Sequence, residues 1–396
     1  MLFFIMRSEI RRSDQGLSFR AFVREFLELG HKKEKGLIIW SASLSSPTLR
    51  VGSQTEVNHM SKIHILGIDL GKHYFHAVDN NHTGKDVIRR KFSRSQLLRF
   101  LSVLEPTIIA FEACGGAHWL ARKCEAYGHR VRLIPPQYVK PYVKGNKNDF
   151  IDAAAIAEAA SRPSMRFVSA KSEEAQVIAA IHRVRDGYIK ERTACMSRIG
   201  AILLEFGLSF PKGHAKMKAL FQWLAEQDIK LPQSLMAELL SIHEHYKYLN
   251  EQVSTQDRKL KVITENNENA ELLKSIPGIG DLTATLCVAN ISSPSNFGGG
   301  REMAAWLGLV PRQYSTGGKS KLLGMSKRGN KHLRALFIHG ARSVLSRIET
   351  TGKVFGDWLV NLRATKPFNV VVVALANKLA RIAWAVLYHR QAFRAV

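Results

Sequence analysis

Residues 63–72 have the sequence IHILGIDLGK, from which the fold of the first domain can be inferred. An apolar run over residues 63–68 is followed at once by the carboxylate of Asp69, and Gly71 comes two residues later. Short apolar runs of this kind are typical of strands that are buried on both faces of a sheet. The stretch therefore predicts a buried strand that carries an acidic side chain to the edge of a sheet.

Together with the residues around this strand, the sequence predicts one mixed α/β domain over residues 60–168. Strands are predicted where short apolar or alternating runs are bounded by turn residues, and helices where apolar residues recur at helical spacing. The predicted strands are residues 63–68, 74–78, 86–92, 107–111 and 130–134, and the predicted helices are residues 95–104, 115–127 and 149–160. The order β-β-β-α-β-α-β-α is typical of a sheet covered by helices.

From about Ser172 the apolar residues change to a 4,3 spacing. The first stripe consists of Val177, Ile181, Val184, Tyr188, Cys195, Ile199, Ile202 and Phe206. The second stripe consists of Leu235, Leu239, Ile242, Tyr246, Leu249, Val253, Leu260 and Ile263. Such stripes predict a coiled-coil arm over residues 169–268, formed either by the two helices of one chain or between subunits. Residues 269–396 are predicted to be mostly helical and to end in an apolar helix over residues 369–388.

The composition indicates a polyanionic partner. Lys and Arg number 58 against 33 Asp and Glu in 396 residues, which gives a net charge of +25 and a pI of about 10.1. Nucleic acid is the commonest polyanion for a soluble protein of this size. The cysteines lack the short paired spacing of zinc sites or disulfide frameworks, and no apolar run reaches the roughly 18–20 residues that cross a bilayer. We therefore expect a cytoplasmic, nucleoid-associated protein without a membrane span.

Residues 1–59 precede the first predicted strand and open with the apolar stretch MLFFIM. That stretch is too short for a signal peptide, and no small-residue cleavage site follows it. Residues 40–47 lack both periodicity and helix caps. We expect residues 1–59 to be a poorly ordered extension or the product of a mis-assigned start, with Met60 as the true start.

Four carboxylates are candidates for a metal site. Asp69 and Glu112 each end an apolar strand, and carboxylates at the ends of neighbouring strands meet at one edge of a sheet. Asp149 and Asp152 are three residues apart at the start of a predicted helix and so share one face of it. A cluster of this kind repels itself unless a cation neutralises it, and an all-oxygen cluster selects Mg²⁺ or Mn²⁺. Two such ions, about 4 Å apart, activate a nucleophile and stabilise the leaving oxygen of a phosphodiester.

Taken singly, these acidic residues have simpler explanations. An aspartate that ends a strand is often a turn former, and one at the start of a helix is often an N-cap. The stretch GIDLGK, residues 67–72, is also similar to the opening of sugar kinases and actin-like ATPases. No later strand, however, is followed by the Asp-Gly-Gly type of phosphate loop that those enzymes need.

A basic segment without any acidic residue extends over residues 303–348. Exposed helix faces normally mix both signs of charge, so this segment predicts a phosphate-binding surface. Within it, YSTGGK, residues 314–319, predicts a flexible glycine-rich loop that would present Ser315 as a nucleophile, although serines in such loops are more often turn residues. The candidate DNA-binding residues of the segment are Arg312, Lys319, Lys321, Lys327, Arg328, Lys331 and Arg334.

Two further stretches are candidates for contacts with nucleic acid. The turn IPGIG, residues 276–280, resembles that of helix-hairpin-helix modules, in which amides near Gly278 and Gly280 would grip phosphates without reading sequence. Residues 130–147 are basic and contain two tyrosines, so Lys140, Lys144 and Lys147 would neutralise a strand that stacks on the rings. A solvated loop is the equal alternative for this second stretch.

Together these motifs resemble the Piv-like DEDD transposases of bacterial insertion sequences, a family that includes bridge-RNA-guided recombinases. The resemblance is carried, in order over residues 60–388, by GIDLGK (67–72), FEACG (111–115), KGNKNDFIDA (144–153), IPGIG (276–280), WLGLVPRQYSTGGK (306–319) and SKRGN (326–330). At the glycine-rich loop Ser315 is followed by Thr316, where two adjacent serines are common in the family.

The resemblance implies an RNase H fold of the RuvC type for residues 60–168, with Asp69, Glu112, Asp149 and Asp152 as its metal tetrad. It implies a C-terminal transposase domain over residues 269–396, in which Ser315 forms a phosphoserine link to DNA. It also implies that domains from different subunits of a homo-oligomer, a dimer or tetramer, complete one active site. A structured noncoding bridge RNA would pair with the target and donor DNA.

The function predicted from these residues is that of a Mg²⁺-dependent DNA transposase and recombinase, in which a serine intermediate conserves the energy of the broken phosphodiester. One alternative is a RuvC-like structure-selective endonuclease that cuts DNA with metal-activated water, with Ser315 only binding phosphate. A second alternative, without catalysis, is a nucleic-acid packaging protein.

Overall fold

The computed structural model of the chain describes residues 64–80, 86–146, 148–227 and 230–395. Two of the expectations above, the extension over residues 1–59 and the DNA contact of Lys147, lie outside these residues.

The strands are β1 (Ile65–Leu70), β2 (Tyr74–Asn80), β3 (Asp86–Ser93), β4 (Ile108–Glu112), β5 (Arg130–Ile134), β6 (Pro311–Thr316) and β7 (Lys319–Met325). The helices that accompany the first five strands are α1 (Arg94–Val103), α2 (Ala117–Ala126), α3 (Pro136–Val139) and α4 (Asp149–Ser161). The helices of the middle of the chain are α5 (Glu173–Glu205), α6 (His214–Lys218), α7 (Leu220–Ala225) and α8 (Gln233–Glu265). The remaining helices are α9 (Glu268–Lys274), α10 (Asp281–Asn290), α11 (Gly300–Trp306), α12 (Lys331–Leu345), α13 (Ile348–Thr351), α14 (Asp357–Thr365) and α15 (Phe368–His389).

Within the part of the chain that the structure describes, five strands form one mixed sheet in the order β3-β2-β1-β4-β5. β1 pairs antiparallel with β2, and β2 antiparallel with β3. β4 runs parallel to β1, and β5 parallel to β4 after the crossover through α2. The predicted element order is confirmed, and β1 is the central strand of the sheet.

Helices cover both faces of this sheet, which explains the continuous apolar run of β1. Leu66 and Ile68 are fully buried on the face that carries α1 and α2. Ile65 points to the opposite face and packs with Ile156 of α4. Because successive side chains of a strand point to opposite faces, both sets of positions must be apolar.

Gly67 allows α4 to approach the backbone of β1 closely. A Cβ at this position would lie 2.2 Å from the carbonyl oxygen of Ala153 and 2.7 Å from the amide nitrogen of Ala157. Only glycine fits such an approach. The glycine two residues before Asp69 therefore decides how near the start of α4 comes to the end of β1.

α5 and α8 pack along each other as an antiparallel helical hairpin within one chain, one of the two arrangements that the apolar stripes allowed. Arg192 Nη1 of α5 donates to Asn250 Oδ1 of α8 at 2.7 Å, and nearer the start of α5 Arg185 pairs with Asp257. The predicted stripe of α8 is confirmed, since Leu239, Tyr246, Leu249, Val253 and Leu260 are buried.

The predicted stripe of α5 is wrong in its first half. Val177 and Val184 are 57% and 46% exposed, whereas Ile178 and His182 are buried. The reason is a third helix: His182 Nε2 lies 3.0 Å from Thr285 Oγ1 of α10, against which this half of α5 packs. A heptad pattern read for two helices does not account for that contact.

Helices α9 to α15 share one core that contains most of the last third of the chain. Val371, Leu375, Leu379 and Ala383 of α15 are fully buried in it. Among the described residues, α15 is the one helix that is long and apolar enough to cross a membrane, and half of its most apolar stretch is buried inside the fold. Its composition is that of a core helix.

The segment around Ser315 is a pair of strands and not the flexible loop predicted from the sequence. β6 and β7 form an antiparallel ribbon in which Thr316 pairs with Lys319. Gly317 and Gly318 have φ angles of +54° and +76°. Positive φ at both central residues is the requirement of a tight type I′ turn. The two glycines therefore fix the end of a ribbon, and every residue of β6 is exposed.

Candidate active site

Asp69 and Glu112 lie side by side on neighbouring parallel strands. The residues immediately before them, Ile68 of β1 and Phe111 of β4, are paired in register. Asp69 is the penultimate residue of β1, and Glu112 is the last residue of β4. The two acidic side chains are therefore at the same edge of the sheet, as expected from the strand order.

Asp149 and Asp152 come from the first turn of α4. The N-cap of this helix is Asn148, whose Oδ1 accepts a hydrogen bond from the amide of Phe150 at 2.9 Å. The cap fixes where the helix starts, and the partial positive charge of a helix N-terminus favours carboxylates in this turn.

Electrostatic interactions link Asp69 and Glu112 to each other and to the two aspartates of α4. Burial raises the pKa of the Asp69 carboxyl, and the carboxylates of Asp152 and Asp149 raise it further. Burial also raises the pKa of Glu112, with further contributions from Asp69 and Asp152. Like charges have this effect at short range. The four acidic residues named from the sequence thus lie near enough to interact electrostatically, but of the four only Asp69 and Asp149 belong to the close group of possible metal ligands that the described residues form.

The site contains a fifth residue, His76 of β2, which sequence reasoning missed. His76 is the cross-strand partner of Asp69. Its Nδ1 lies 3.4 Å from Oδ2 of Asp149, and its ring meets that of Phe150 edge-on at 4.7 Å between centroids. One ligand atom each from Asp69, His76 and Asp149 lie within 4.8 Å of one another.

The position of His76 beside Asp69 could have been predicted from the turn between β1 and β2. The amide of Gly71 donates to the carbonyl oxygen of Tyr74 at 3.1 Å, which closes the turn. Once this turn is fixed, counting back along both strands sets residue 69 opposite residue 76. The sequence predicted both strands but not their register.

This set of side chains fits a divalent cation. The neighbouring carboxylates that help to raise the pKa of Asp69 and Glu112 are a concentration of negative charge that a cation relieves, and oxygen ligands suit Mg²⁺ or Mn²⁺. The all-oxygen cluster expected from the sequence is incomplete, because His76 adds an imidazole nitrogen. Oxygen donors nevertheless dominate the set.

Ser315 lies on the exposed β6–β7 ribbon, in the other half of the chain from the acidic residues. Its Oγ accepts a hydrogen bond from Gln313 Nε2 at 2.7 Å, and Ser320 of β7 is its cross-strand partner. In the described part of the chain, no hydrogen bond or ion pair joins this ribbon to Asp69 or its neighbours. Among the described residues, the polar contacts of one chain therefore do not connect the acidic cluster to the serine.

Most of the predicted DNA-binding cations are exposed. The exposed residues are Lys140, Lys144, Arg312, Lys319, Lys321, Lys327, Arg328 and Lys331. Lys144 lies 3.7 Å from a carboxylate oxygen of Glu158. Arg334 is different: it is buried, and its Nη1 donates to the carbonyl oxygens of Leu307 and Arg328 at 3.0 and 3.1 Å. The expectation that Arg334 binds phosphate is corrected, because its guanidinium is occupied in holding two loops together.

The turn over residues 276–280 has a packing role at its first glycine. Gly278 has a φ of +90°, and a Cβ there would lie 2.8 Å from the carbonyl oxygen of Gly340 in α12. Gly280 is the N-cap residue of α10 and has open space around its Cβ position. Gly278 thus allows the turn before α10 to pack closely against α12. Gly280 is exposed to solvent, so its amide remains the candidate for a phosphate contact.

Comparison with known proteins agrees with this geometry. A DEDD transposase model described as "Transposase" matches residues 66–208, and a model described as "Transposase IS116/IS110/IS902 family" matches residues 270–355. The chain is 46% identical, over 83% of its length and 97% of the relative's, to the transposase for insertion sequence element IS1328 of Yersinia enterocolitica. It is 42% identical to a probable family 20 transposase of Pseudomonas aeruginosa, over 83% and 98% of the two chains. It is 39% identical to the transposase for insertion sequence element IS1111A of Coxiella burnetii, over 85% and 92%. The chain therefore belongs to the IS116/IS110/IS902 family of insertion-sequence transposases.

Proposed function

We propose that this transposase is a metal-dependent recombinase that cuts and rejoins DNA at the cluster of Asp69, Glu112, Asp149 and Asp152. The observation that carries the proposal is the electrostatic interaction of these carboxylates from β1, β4 and α4: the pKa of Asp69 and of Glu112 is raised by burial and then by neighbouring carboxylates. Self-repelling acids at the edge of a sheet have no stabilising value in a fold, and they suit a site that gains a cation and a phosphodiester.

The proposed fold of this half of the chain is the RuvC type of RNase H fold. Its support is the strand order β3-β2-β1-β4-β5, with three antiparallel strands followed by two parallel ones. In that arrangement the ends of β1 and β4 deliver two acids to one edge, and a helix across the same face delivers the others.

Mg²⁺ or Mn²⁺ held by the four carboxylates would polarise the scissile phosphate and stabilise the departing oxygen. The chain's own residues position that chemistry. His76 fixes the orientation of Asp149 through its contact at 3.4 Å, and Gly67 sets the distance of α4 from β1.

Ser315 is the proposed nucleophile. As its Oγ bonds to phosphorus, the bond from phosphorus to the leaving strand breaks, and the serine proton ends on an acceptor while the leaving oxygen gains one. Gln313 already donates to the Oγ at 2.7 Å, so the hydroxyl's own proton remains available for transfer. Because no hydrogen bond or ion pair among the described residues joins the serine to the acids within one chain, we propose that a homo-oligomer completes the site with the serine of one subunit and the acids of another.

Substitution of Ser315 tests this mechanism. Ser315→Ala is expected to abolish both the covalent protein–DNA adduct and recombination. Ser320→Ala, which removes the same hydroxyl from the paired position of the same ribbon, is the control and is expected to keep both. Adducts are counted on denaturing gels after incubation of the full chain with DNA that carries the element ends.

The alternative function, a structure-selective endonuclease that uses water, predicts a different result. Ser315→Ala would then leave DNA cutting intact, and no adduct would form with the unmodified chain. A packaging protein would tolerate Asp69→Ala without loss of function, which the same assay detects.

We also propose that a structured noncoding RNA directs the choice of DNA site. The support is the number of exposed cations along the basic segment, which exceeds what one phosphodiester at the acidic cluster requires. RNase treatment of the purified transposase is expected to abolish the choice of target while leaving DNA binding; unchanged target choice would contradict the role of RNA.

A further inference from the structure

A row of side chains leads from the acidic cluster, at the ends of β1 and β4, across the sheet to its outer strand β3. Asp69 of β1 is paired with His76 of β2, and His76 is paired with Lys91 of β3. Paired residues on adjacent strands point to the same face of a sheet. Since neighbouring strands are about 4.8 Å apart, the backbone of Lys91 is about 10 Å from that of Asp69.

Lys91 and Tyr74 form a cation–aromatic pair at the end of this row. The Lys91 ammonium lies 4.1 Å from the centroid of the Tyr74 ring, and Tyr74 is 53% exposed. Tyr74 is two residues before His76 in β2 and so shares its face of the sheet. Within the described residues no carboxylate forms an ion pair with Lys91. A cation and the face of an aromatic ring are therefore presented together beside the acidic cluster.

A second cation–aromatic contact lies on the same face. Arg89 is two residues before Lys91 in β3, and its guanidinium lies 4.6 Å from the ring centroid of Phe150 in α4. Phe150 in turn contacts His76. The face of the sheet between the edge strand and the acidic cluster is thus positively charged and aromatic.

Edge strands often carry a lysine simply because charge prevents pairing with another sheet. That role accounts for Lys91 on β3, which is the edge strand. It gives no reason for a half-exposed tyrosine under the ammonium, because an exposed aromatic ring favours association. A cation next to an exposed ring is the combination that binds the phosphates and bases of an unpaired strand.

We propose that Tyr74 and Lys91 form a binding subsite for the DNA strand that is cut at the acidic cluster. Lys91 binds a phosphate, and the Tyr74 ring stacks on a base of the same strand. The subsite thus attracts a polyanion to the four carboxylates, which by themselves would repel it. This inference rests on the proposed function.

Lys91 and Tyr74 are expected to contribute separately to the binding of DNA. Both contributions can be measured with the full chain in EDTA, because EDTA removes the divalent metal and so prevents cleavage. The probe is a fluorescein-labelled single-stranded DNA of mixed sequence, followed by anisotropy over a series of salt concentrations. Lys91→Gln is expected to reduce the slope of log K against log salt by about 0.7, the value for one phosphate contact on a single strand. Tyr74→Ala is expected to weaken binding at least about fivefold without changing the slope, whereas Tyr74→Phe keeps the affinity.

Matched controls distinguish the subsite from general loss of charge or ring. Lys123→Gln removes an exposed lysine from α2, on the other face of the sheet. Tyr248→Ala removes a tyrosine of α8 that is 52% exposed, close to the 53% of Tyr74. Both controls are expected to bind the probe as the unmodified chain does, and circular dichroism checks that every variant is folded.

Three results overturn the inference. The first is an unchanged affinity and slope for Lys91→Gln and Tyr74→Ala, which would leave Lys91 as an edge-strand charge. The second is an effect no larger than that of the controls. The third concerns a matching RNA probe of the same sequence: Lys91→Gln and Tyr74→Ala lose binding to the RNA but keep their binding to the DNA. None of these results bears on DNA cutting by the unmodified chain, so the inference and the proposed function fail separately.

Discussion

At Asp69, burial and two neighbouring carboxylates act in the same direction on one carboxyl group and raise its pKa. A group whose folded-state pKa is raised stabilises the fold below its unfolded pKa, and this contribution is lost as pH rises through the folded value. The metal-free site therefore destabilises the protein near neutral pH. Glu112 acts in the same sense, because its pKa is also raised.

Neutralising Asp69 is expected to stabilise the metal-free protein while removing its activity. Asp69→Asn keeps the shape of the side chain and removes one of the repelling charges. We expect the Tm in EDTA at pH 8 to rise by about 2–4 °C, with no DNA cleavage in Mg²⁺. Glu205→Gln, at an exposed position at the end of α5, is the control and should change neither. A lower Tm for Asp69→Asn would contradict repulsion at this site.

The raised pKa values also predict how metal binding depends on pH. A divalent cation needs the ionised form of Asp69 and Glu112, so protons compete with it at a higher pH than for ordinary carboxyls. We expect the Mg²⁺-induced rise in Tm to be large at pH 8 and to shrink as pH falls toward 5. Differential scanning fluorimetry at constant ionic strength measures this. An equal Mg²⁺ effect at both pH values would argue against binding at these two groups.

At the scale of elements, the contact of β1 with α4 is the feature that assembles the site. Gly67→Ala places a methyl group 2.2 Å from the carbonyl oxygen of Ala153, so the helix must move away. We expect destabilisation of about 1–3 kcal/mol, as for other overpacked positions, and loss of the Mg²⁺ response. Gly187→Ala in α5 meets nothing within 4 Å and is expected to be neutral or stabilising. Equal behaviour of the two variants in urea unfolding would show that the close approach is unimportant.

The positions of the site residues on their strands can be predicted from the sequence to different extents. Asp69 and Glu112 could be placed together from the sequence, because each ends an apolar strand and only the order of neighbouring strands was needed. His76 could not, because its place beside Asp69 depends on the register of a turn. The ribbon around Ser315 was predictable in principle: two glycines between paired strands are a hairpin signal.

The error in α5 has a different physical origin. Val177 is exposed and His182 is buried because α10 packs on this half of the helix, through a contact with Thr285 that is 103 residues away along the chain. A periodic pattern records which face of a helix is apolar, but it does not identify the partner when two partners compete for adjacent faces.

Across the chain, polar contacts join the short segment after residue 168, between the sheet and α5, to the helical C-terminal region. Lys171 Nζ donates to Asn290 Oδ1 at 2.9 Å, and Asn296 Nδ2 donates to Ser169 Oγ at 2.8 Å. These contacts hold one chain together without bringing Ser315 to the acids. The site shared between subunits, proposed above, does not require the serine and the acids of one chain to be in contact.

Complementation between inactive variants tests the shared site. Asp69→Asn and Ser315→Ala are each expected to be inactive alone. Their mixture is expected to regain part of the recombination activity, because a mixed oligomer contains one site that combines the intact serine of one subunit with the intact acids of the other. A mixture of Asp69→Asn with the double variant, which contains both substitutions, should stay inactive. Absence of recovery in the first mixture, with subunit exchange verified by labelled chains, would show that each chain forms its own site.

The β6–β7 ribbon has a chemical consequence of its own. Two strands with no third partner are only marginally stable in water. Their order has to come from whatever lies across them, and all six residues of β6 face solvent. Under the proposed mechanism, bound nucleic acid would hold the Ser315 hydroxyl in an attacking position, and the free protein would be protected from reaction with the wrong phosphate.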